Sequence, residues 1–321
     1  MIIVSLDPQA KMLLDMMAAS GAPAIETLTP EQAREAFALT QNRLRQGVSE
    51  IVIHKIEDMT IKGVKDDIKI RVYSPKDDEL LPALIYFHGG GWVLGNLDSH
   101  DSLCRALANS AECVVISVDY SLAPEHKFPT AVYDAFHATK WVYDNAETLK
   151  VDPTRLAVGG DSAGGNLAAA VSNLAKKNRS PKLCFQALLY PATNFEVTES
   201  YQLFSEGYFL TKSAMNWFRD CYLNGTEDLK NPLAAPLLMD DKTDLPPALI
   251  ITAGFDPLRD EGKAYAESLI EAGVEVEYKC YDGMIHGFIS MFSVLHQGKL
   301  AVEHISNSLK IAFNTKTVKE V

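Results

Sequence analysis

A serine boxed in by glycines, Gly160-Asp161-Ser162-Ala163-Gly164-Gly165, constrains this chain more than any other feature. A short apolar run, Arg155-Leu156-Ala157-Val158-Gly159, leads into it, and Asn166-Leu167-Ala168-Ala169-Ala170-Val171-Ser172 continues as a good helix. Strand, sharp turn and helix is the setting in which Gly-x-Ser-x-Gly acts as a nucleophile elbow. Gly160 and Gly164 belong there because a Cβ at either position would block a tight backbone crossing. The helix then points the positive end of its dipole at the serine oxygen. Alone, the five-residue pattern gives only moderate support, since it recurs by accident.

A second glycine cluster, His88-Gly89-Gly90-Gly91-Trp92, follows Ala83-Leu84-Ile85-Tyr86-Phe87, which reads as a buried strand. An isolated glycine triplet is ordinarily a flexible turn. Upstream of a serine elbow, it can turn bare backbone N–H groups inward, as an oxyanion hole requires. Neither cluster has Gly-x-Gly-x-x-Gly spacing or ends in Gly-Lys-Ser/Thr. Dinucleotide and phosphate-loop readings are therefore set aside.

A serine hydroxyl needs a base, and the base needs an orienting acid. The chain order around such an elbow is serine, acid, histidine. Only His286, His296 and His304 lie beyond Ser162. Val274 to Tyr281 alternates like a half-buried strand, and Asp282 to Phe288 reads as a glycine-flanked loop that carries His286. His296 and His304 fall in a closing helical pattern, so His286 is the expected base. For the acid, Asp256 is the first carboxylate after the apolar strand Ala248-Leu249-Ile250-Ile251-Thr252-Ala253, and Pro257 stiffens its position. Asp260 suits the first turn of the next helix and Asp282 suits a turn, and both stay open as alternatives.

Strand-like runs near 51–61, 67–74, 83–88, 113–118, 155–159, 184–190, 248–253 and 275–281 give eight candidates. Helical patterns separate most of the later ones, which implies crossover connections and a mostly parallel sheet. The first two are adjacent and polar on one side, as an antiparallel edge would be. Ligands of such sheets bind beyond the carboxyl ends of the strands. His88, Ser162, Asp256 and His286 all fall just past a strand end.

Two segments do not fit the sheet. Residues 1–47 carry helical signals, including the helix start Thr29-Pro30-Glu31-Gln32. Residues 195–235 hold Gly207-Tyr208-Phe209-Leu210-Thr211, then Met215, Trp217, Phe218, Tyr222 and Leu223. One reading is plain packing onto the core. The favoured one is a helical cap, because an insertion between serine and acid is where a cap belongs. Trp92, Phe209, Leu210, Met215 and Phe218 would then receive acyl or alcohol groups.

These pieces resemble the hormone-sensitive-lipase family of α/β-hydrolase esterases, bacterial and archaeal carboxylesterases included. The matching residues are His88-Gly89-Gly90-Gly91-Trp92, Asp119-Tyr120-Ser121-Leu122-Ala123-Pro124-Glu125, Gly160 to Gly165, Asp256-Pro257-Leu258-Arg259-Asp260-Glu261 and His286-Gly287-Phe288. They run in family order from about residue 50 onward. The resemblance implies an α/β-hydrolase fold with an eight-stranded sheet flanked by helices and a helical cap. It implies Ser162 as nucleophile, His286 as base and Asp256 as orienting acid. It also gives the N–H groups of Gly90, Gly91 and Ala163 as the oxyanion hole, with His88 helping to hold the glycine loop. Ser121 departs from the pattern, where the family usually has an arginine of structural role.

The expected reaction is hydrolysis of small carboxylic esters, with short to medium acyl chains. An amidase or deacetylase would use the same triad. A non-catalytic receptor, as the plant gibberellin receptors of this family are, would lack the histidine that this chain keeps. A lipase would need a long apolar lid, and none is evident.

Composition narrows the remainder. At 321 residues and 47% hydrophobic, the chain can bury a large core, and one enlarged domain over 1–321 is expected. A net charge of −12 argues against a nucleic-acid backbone as ligand. No stretch reaches the ~18 apolar residues of a membrane span. The opening Met1-Ile2-Ile3-Val4-Ser5-Leu6-Asp7-Pro8 lacks the basic start and apolar core of a signal peptide. Cys104, Cys113, Cys184, Cys221 and Cys280 are scattered, which fits buried free thiols in a reducing cytoplasm. Asp98-Ser99-His100-Asp101 has metal-ligand residue types, but an acidic helix start explains it. No metal or cofactor is expected. A homodimer through the edge strand near 275–281 is the one protein partnership the sequence suggests.

Overall fold

Runs that are apolar at every position end up where both faces of a sheet are covered. The computed structural model describes residues 5–47, 49–77 and 80–314. Its strands are β1 (Lys55–Lys62), β2 (Asp67–Ser74), β3 (Leu81–Phe87), β4 (Val114–Asp119), β5 (Val151–Asp161), β6 (Phe185–Leu189), β7 (Ala248–Phe255) and β8 (Val276–Ile285). They form one sheet in the order β1-β2-β4-β3-β5-β6-β7-β8. β2 runs antiparallel to both neighbours, and every other pairing is parallel. β3 and β6 are buried throughout, whereas β1 and β8, at the two edges, are only partly covered. β8 is therefore an edge, as the dimer expectation needs.

The expected loop before His286 is strand instead. β8 continues to Ile285, which pairs with Phe255 after a register shift beyond Ala253. The strands approach so closely that a Cβ on Gly254 would run into the main chain of Asp282. The glycines and the aspartate read as turn signals, but here they mark a tight strand contact.

Two helices precede the sheet, α1 (Pro8–Ala19) and α2 (Pro30–Arg45). α2 begins as its sequence predicts. Thr29 Oγ1 accepts the Gln32 N–H while Gln32 Oε1 accepts the Thr29 N–H, with Pro30 at the first helical position. α3 (Asp101–Ala111), α4 (Thr130–Asp144) and α5 (Ala163–Asn178) follow within the crossovers. α6 (Glu199–Leu203) and α7 (Lys212–Tyr222) lie between β6 and β7, and α8 (Arg259–Glu271) and α9 (His296–Asn314) complete the order.

Alternation along β3 divides the core in two. Ile85 and Phe87 join the layer of Ala135, Leu167 and Tyr265, from α4, α5 and α8. Leu84 and Tyr86 face the layer of Leu107 and Ile305, from α3 and α9. None of the described helices is long and apolar enough to cross a membrane. Met1 to Val4, part of the opening segment read above, lie outside the described residues. All five cysteines are free; Cys104 and Cys113 are buried, whereas Cys184, Cys221 and Cys280 are only half-buried. At Ser121, the buried Asp134 carboxylate accepts the Ser121 N–H at 3.1 Å and the Val64 N–H at 2.8 Å. Backbone donors there do what a nearby cation would do.

Candidate active site

Ser162 sits between the last residue of β5 and the first of α5, at φ 56° and ψ −117°. That strained conformation is what a nucleophile elbow imposes on its serine. Gly160 and Gly164 make it possible. A Cβ on either would drive into the Phe87 carbonyl of β3, the neighbouring strand. As the first helical residue, Ala163 has an N–H with no partner within the helix, and it points from the positive end of the α5 dipole.

His286 follows β8 directly, and Asp256 follows β7. The imidazole Nε2 lies 2.9 Å from Ser162 Oγ, and Nδ1 lies 2.7 Å from Asp256 Oδ2. Asp256 is fully buried, and its other oxygen accepts the Leu258 N–H at 2.9 Å. Two contacts fix the carboxylate, so the imidazole is held with Nδ1 facing the acid and Nε2 facing the serine. Asp260 is engaged elsewhere, accepting the Ser200 N–H at 2.7 Å and pairing with Arg259. The ring of Tyr190, at the end of β6, packs 4.8 Å from that of His286. Nothing in the sequence pattern singled out Tyr190.

The glycine loop lies against the elbow. Gly90, Gly91 and Trp92 have φ of 120°, 60° and 61°, so the chain makes a turn that glycine tolerates far better than other residues. The Gly90 carbonyl accepts the N–H groups of Val93 and Leu94 at 3.1 and 2.8 Å, which closes the turn. His88 is fully buried and stacked on Tyr120, and burial pushes its pKa down to about 4. A neutral ring there leaves Nδ1 bonded to the Gly89 carbonyl at 2.8 Å. The Gly89 N–H donates to the Asp161 carboxylate at 2.9 Å, so the residue before the serine also grips the loop.

A family model described as the alpha/beta hydrolase fold matches residues 84–290. The chain belongs to the α/β-hydrolase family. Its relatives include an arylesterase of Saccharolobus solfataricus, 39% identical over 88% of this chain and 92% of the relative. The carboxylic ester hydrolase LipN of Mycobacterium tuberculosis is 44% identical over 74% of this chain, a match that spans only 65% of LipN. Among solved structures, the hyperthermophilic esterase from Pyrobaculum calidifontis superposes with a TM-score of 0.93 at 43% identity. That alignment covers 96% of this chain and 99% of the other.

In this α/β hydrolase a cavity of about 430 Å³ opens over Ser162 and His286. Phe209, Leu210, Met215 and Phe218 all line it. Trp92 reaches it too, but its ring is mainly committed to a flat stack on Tyr222 at 4.3 Å. The 1–47 segment contributes Ile25, Phe37 and Gln41. Sequence reading missed Phe195, Tyr201 and Met291 on the walls, because loop positions and a five-residue helix carry too little periodicity to show which way they face. It also missed Glu261, buried at the cavity's edge, whose carboxyl accepts the N–H groups of Thr193 and Asn194 at 2.7 and 3.2 Å. Burial pushes its pKa up to about 8.

Proposed function

We propose that the chain is a serine ester hydrolase that cleaves small carboxylic esters through an acyl-enzyme on Ser162. One observation carries this reading. Asp256 Oδ2, His286 and Ser162 Oγ stand in an unbroken relay with contacts of 2.7 and 2.9 Å. As Ser162 Oγ attacks the ester carbonyl carbon, His286 Nε2 takes its proton, and Asp256 stabilises the imidazolium without being protonated itself. The oxygen that becomes negative is met by the N–H groups of Gly90, Gly91 and Ala163. The imidazolium returns its proton to the departing alkoxide, and water then repeats the sequence to free the acid.

The names of the relatives support an ester as the substrate, and the apolar cavity supports short to medium acyl chains. Residues 1–47 and 195–235 serve as the cap whose side chains set that length. An intact His286 speaks against a non-catalytic receptor. The test is hydrolysis of p-nitrophenyl esters from acetyl to palmitoyl, with anilides alongside, by wild type and Ser162→Ala. Loss of the nucleophile should remove activity on the order of 10⁶-fold in kcat, by analogy with other serine hydrolases. A folded Ser162→Ala enzyme within tenfold of wild type would overturn the reading.

A further inference from the structure

Asp161 lies beside the nucleophile and is nearly fully buried, yet no step above uses its side chain. Its carboxylate is fully engaged. Oδ1 accepts the Gly89 N–H at 2.9 Å and the Tyr86 hydroxyl at 2.8 Å. His100 Nε2 stands 3.1 and 3.3 Å from its two oxygens. Burial works to raise the pKa of this group, but the charge and hydrogen bond of His100 and the Tyr86 hydroxyl outweigh it and hold it below the usual carboxylate value.

His100 is itself held from behind. Its Nδ1 lies 2.9 Å from Ser99 Oγ, and the Ser99 hydroxyl donates to the Asn96 carbonyl at 2.7 Å. Both ring nitrogens of His100 are therefore engaged, Nε2 by the Asp161 carboxylate and Nδ1 by Ser99 Oγ. In sequence, Asp98-Ser99-His100-Asp101 reads as an acidic helix start. Asp98, exposed, and Asp101, half-buried, pair with Arg71 at 2.8 and 3.3 Å, and Asp101 also accepts the buried Tyr73 hydroxyl at 2.8 Å, while His100 turns into the core.

We propose that the buried His100–Asp161 pair sets the oxyanion loop, and that His100 is a positioning residue for ester hydrolysis. This rests on the serine mechanism above. The physical case has two parts. Asp161 joins the elbow to the loop, since it adjoins Ser162 in the chain and holds the N–H of Gly89, next to Gly90. A buried carboxylate so near the place where the oxyanion forms would also oppose that charge, unless a partner is fixed against it. His100 orients the carboxylate and is the partner fixed against it. His88, the histidine of the motif itself, bonds only locally to Gly89 and lacks this reach.

The experiment compares His100→Leu with His100→Gln, whose amide can still donate to Asp161. Readouts are kcat and KM on p-nitrophenyl butyrate, and inhibition by a trifluoromethyl ketone, whose serine adduct carries the oxyanion. His100→Leu should lower kcat at least tenfold with KM within threefold, and should weaken the ketone by a matching factor. His100→Gln should recover most of both. A general loosening of the fold would instead leave the ratio of ketone affinity to KM unchanged. That result overturns the proposal, as does a folded His100→Leu enzyme within twofold of wild type. Should His100→Leu fail to fold, Tyr86→Phe removes one Asp161 donor, and an unaltered kcat there overturns it equally. If Ser162→Ala abolishes activity while these variants behave as wild type, only this inference falls. If Ser162→Ala stays active, the serine mechanism falls first.

Discussion

Two glycines distinguish the chemical half of the site from the half that meets the substrate's chain. A Cβ on Gly164 would collide with the Phe87 carbonyl, and nothing flexible nearby can yield. A Cβ on Gly207, in the segment joining α6 to α7, would meet nothing within 4 Å. Around the first, every element is buried strand or helix, and each reacting group hangs from a strand end. Around the second, Phe209 is 42% exposed and Leu210 and Met215 are half-buried. On the proposed mechanism the reaction is built on closely packed backbone, and the acyl pocket on partly exposed side chains. Mutations in the two halves should fail differently, the first in kcat and the second in choice of ester.

The largest expected effect within the rigid half, after loss of the serine, comes at the acid. Asp256→Asn should lower kcat by ~10⁴, because an amide favours the wrong imidazole tautomer and cannot stabilise its cation. Asp282→Asn, at a residue that makes no contact with His286 in the relay, should stay within about twofold by the same reasoning. Steady-state kinetics on one ester decides it, and the reverse ranking would remove Asp256 from its role.

Gly91 is where the two halves touch, since a Cβ there would strike the Phe218 ring of α7 at a backbone φ of 60°. Gly91→Val should therefore cost ~10²–10³ in kcat through loss of one oxyanion donor, with a smaller change in KM. If the loss appears only in KM, the loop binds substrate and does not serve the transition state.

On the partly exposed side, each buried CH₂ adds ~0.8 kcal/mol only until the pocket is full. The cavity of about 430 Å³ should favour butyryl or hexanoyl esters over acetyl and long chains. Leu210→Trp should move that optimum toward acetyl while leaving kcat on acetyl esters within a few-fold. A preference for palmitoyl esters, or an optimum that does not move, would break the contrast between the halves.

The smallest effect concerns Glu261, which ties Thr193 and Asn194 between the two regions. Its folded pKa lies above the ordinary value of 4.5, at about 8, because burial disfavours the charged form. The contribution to stability is then complete below pH ~4.5 and is lost as pH rises through about 8. Melting temperatures from pH 5 to 9 should fall more steeply for wild type than for Glu261→Gln. Parallel curves would show that this carboxyl does not titrate on unfolding.

The legibility of the sequence follows the same division. Gly160, Gly164 and the apolar runs before Gly89 and Asp256 announced the strands, the elbow and the parallel order, because close approach and full burial leave few residue choices. The cavity walls were readable only in part. Phe209, Leu210, Met215 and Phe218 stood out in the 195–235 insertion, whereas Phe195 and Tyr201 at its start, and Met291 outside it, sit where facing is decided by tertiary contact. His100 was hidden for a related reason. It stands between Asp98 and Asp101, which read as an acidic helix start, and only the fold shows that it turns into the core.

Arg34, on α2, ties two loops at once. Its guanidinium donates to the carbonyls of Val93 and Ala123, each at 2.9 Å, and grips the Glu125 carboxylate at 2.9 and 2.6 Å. One and two turns further along the same helix, Phe37 and Gln41 line the cavity. Val93 in turn donates its N–H to the Gly90 carbonyl. On the proposed mechanism, displacing α2 to admit a bulkier ester would also pull on Val93, at the far end of the turn that begins at Gly90. Door and latch would then share a single hinge pin, and a wider entrance would loosen the loop proposed to hold the reacting oxygen.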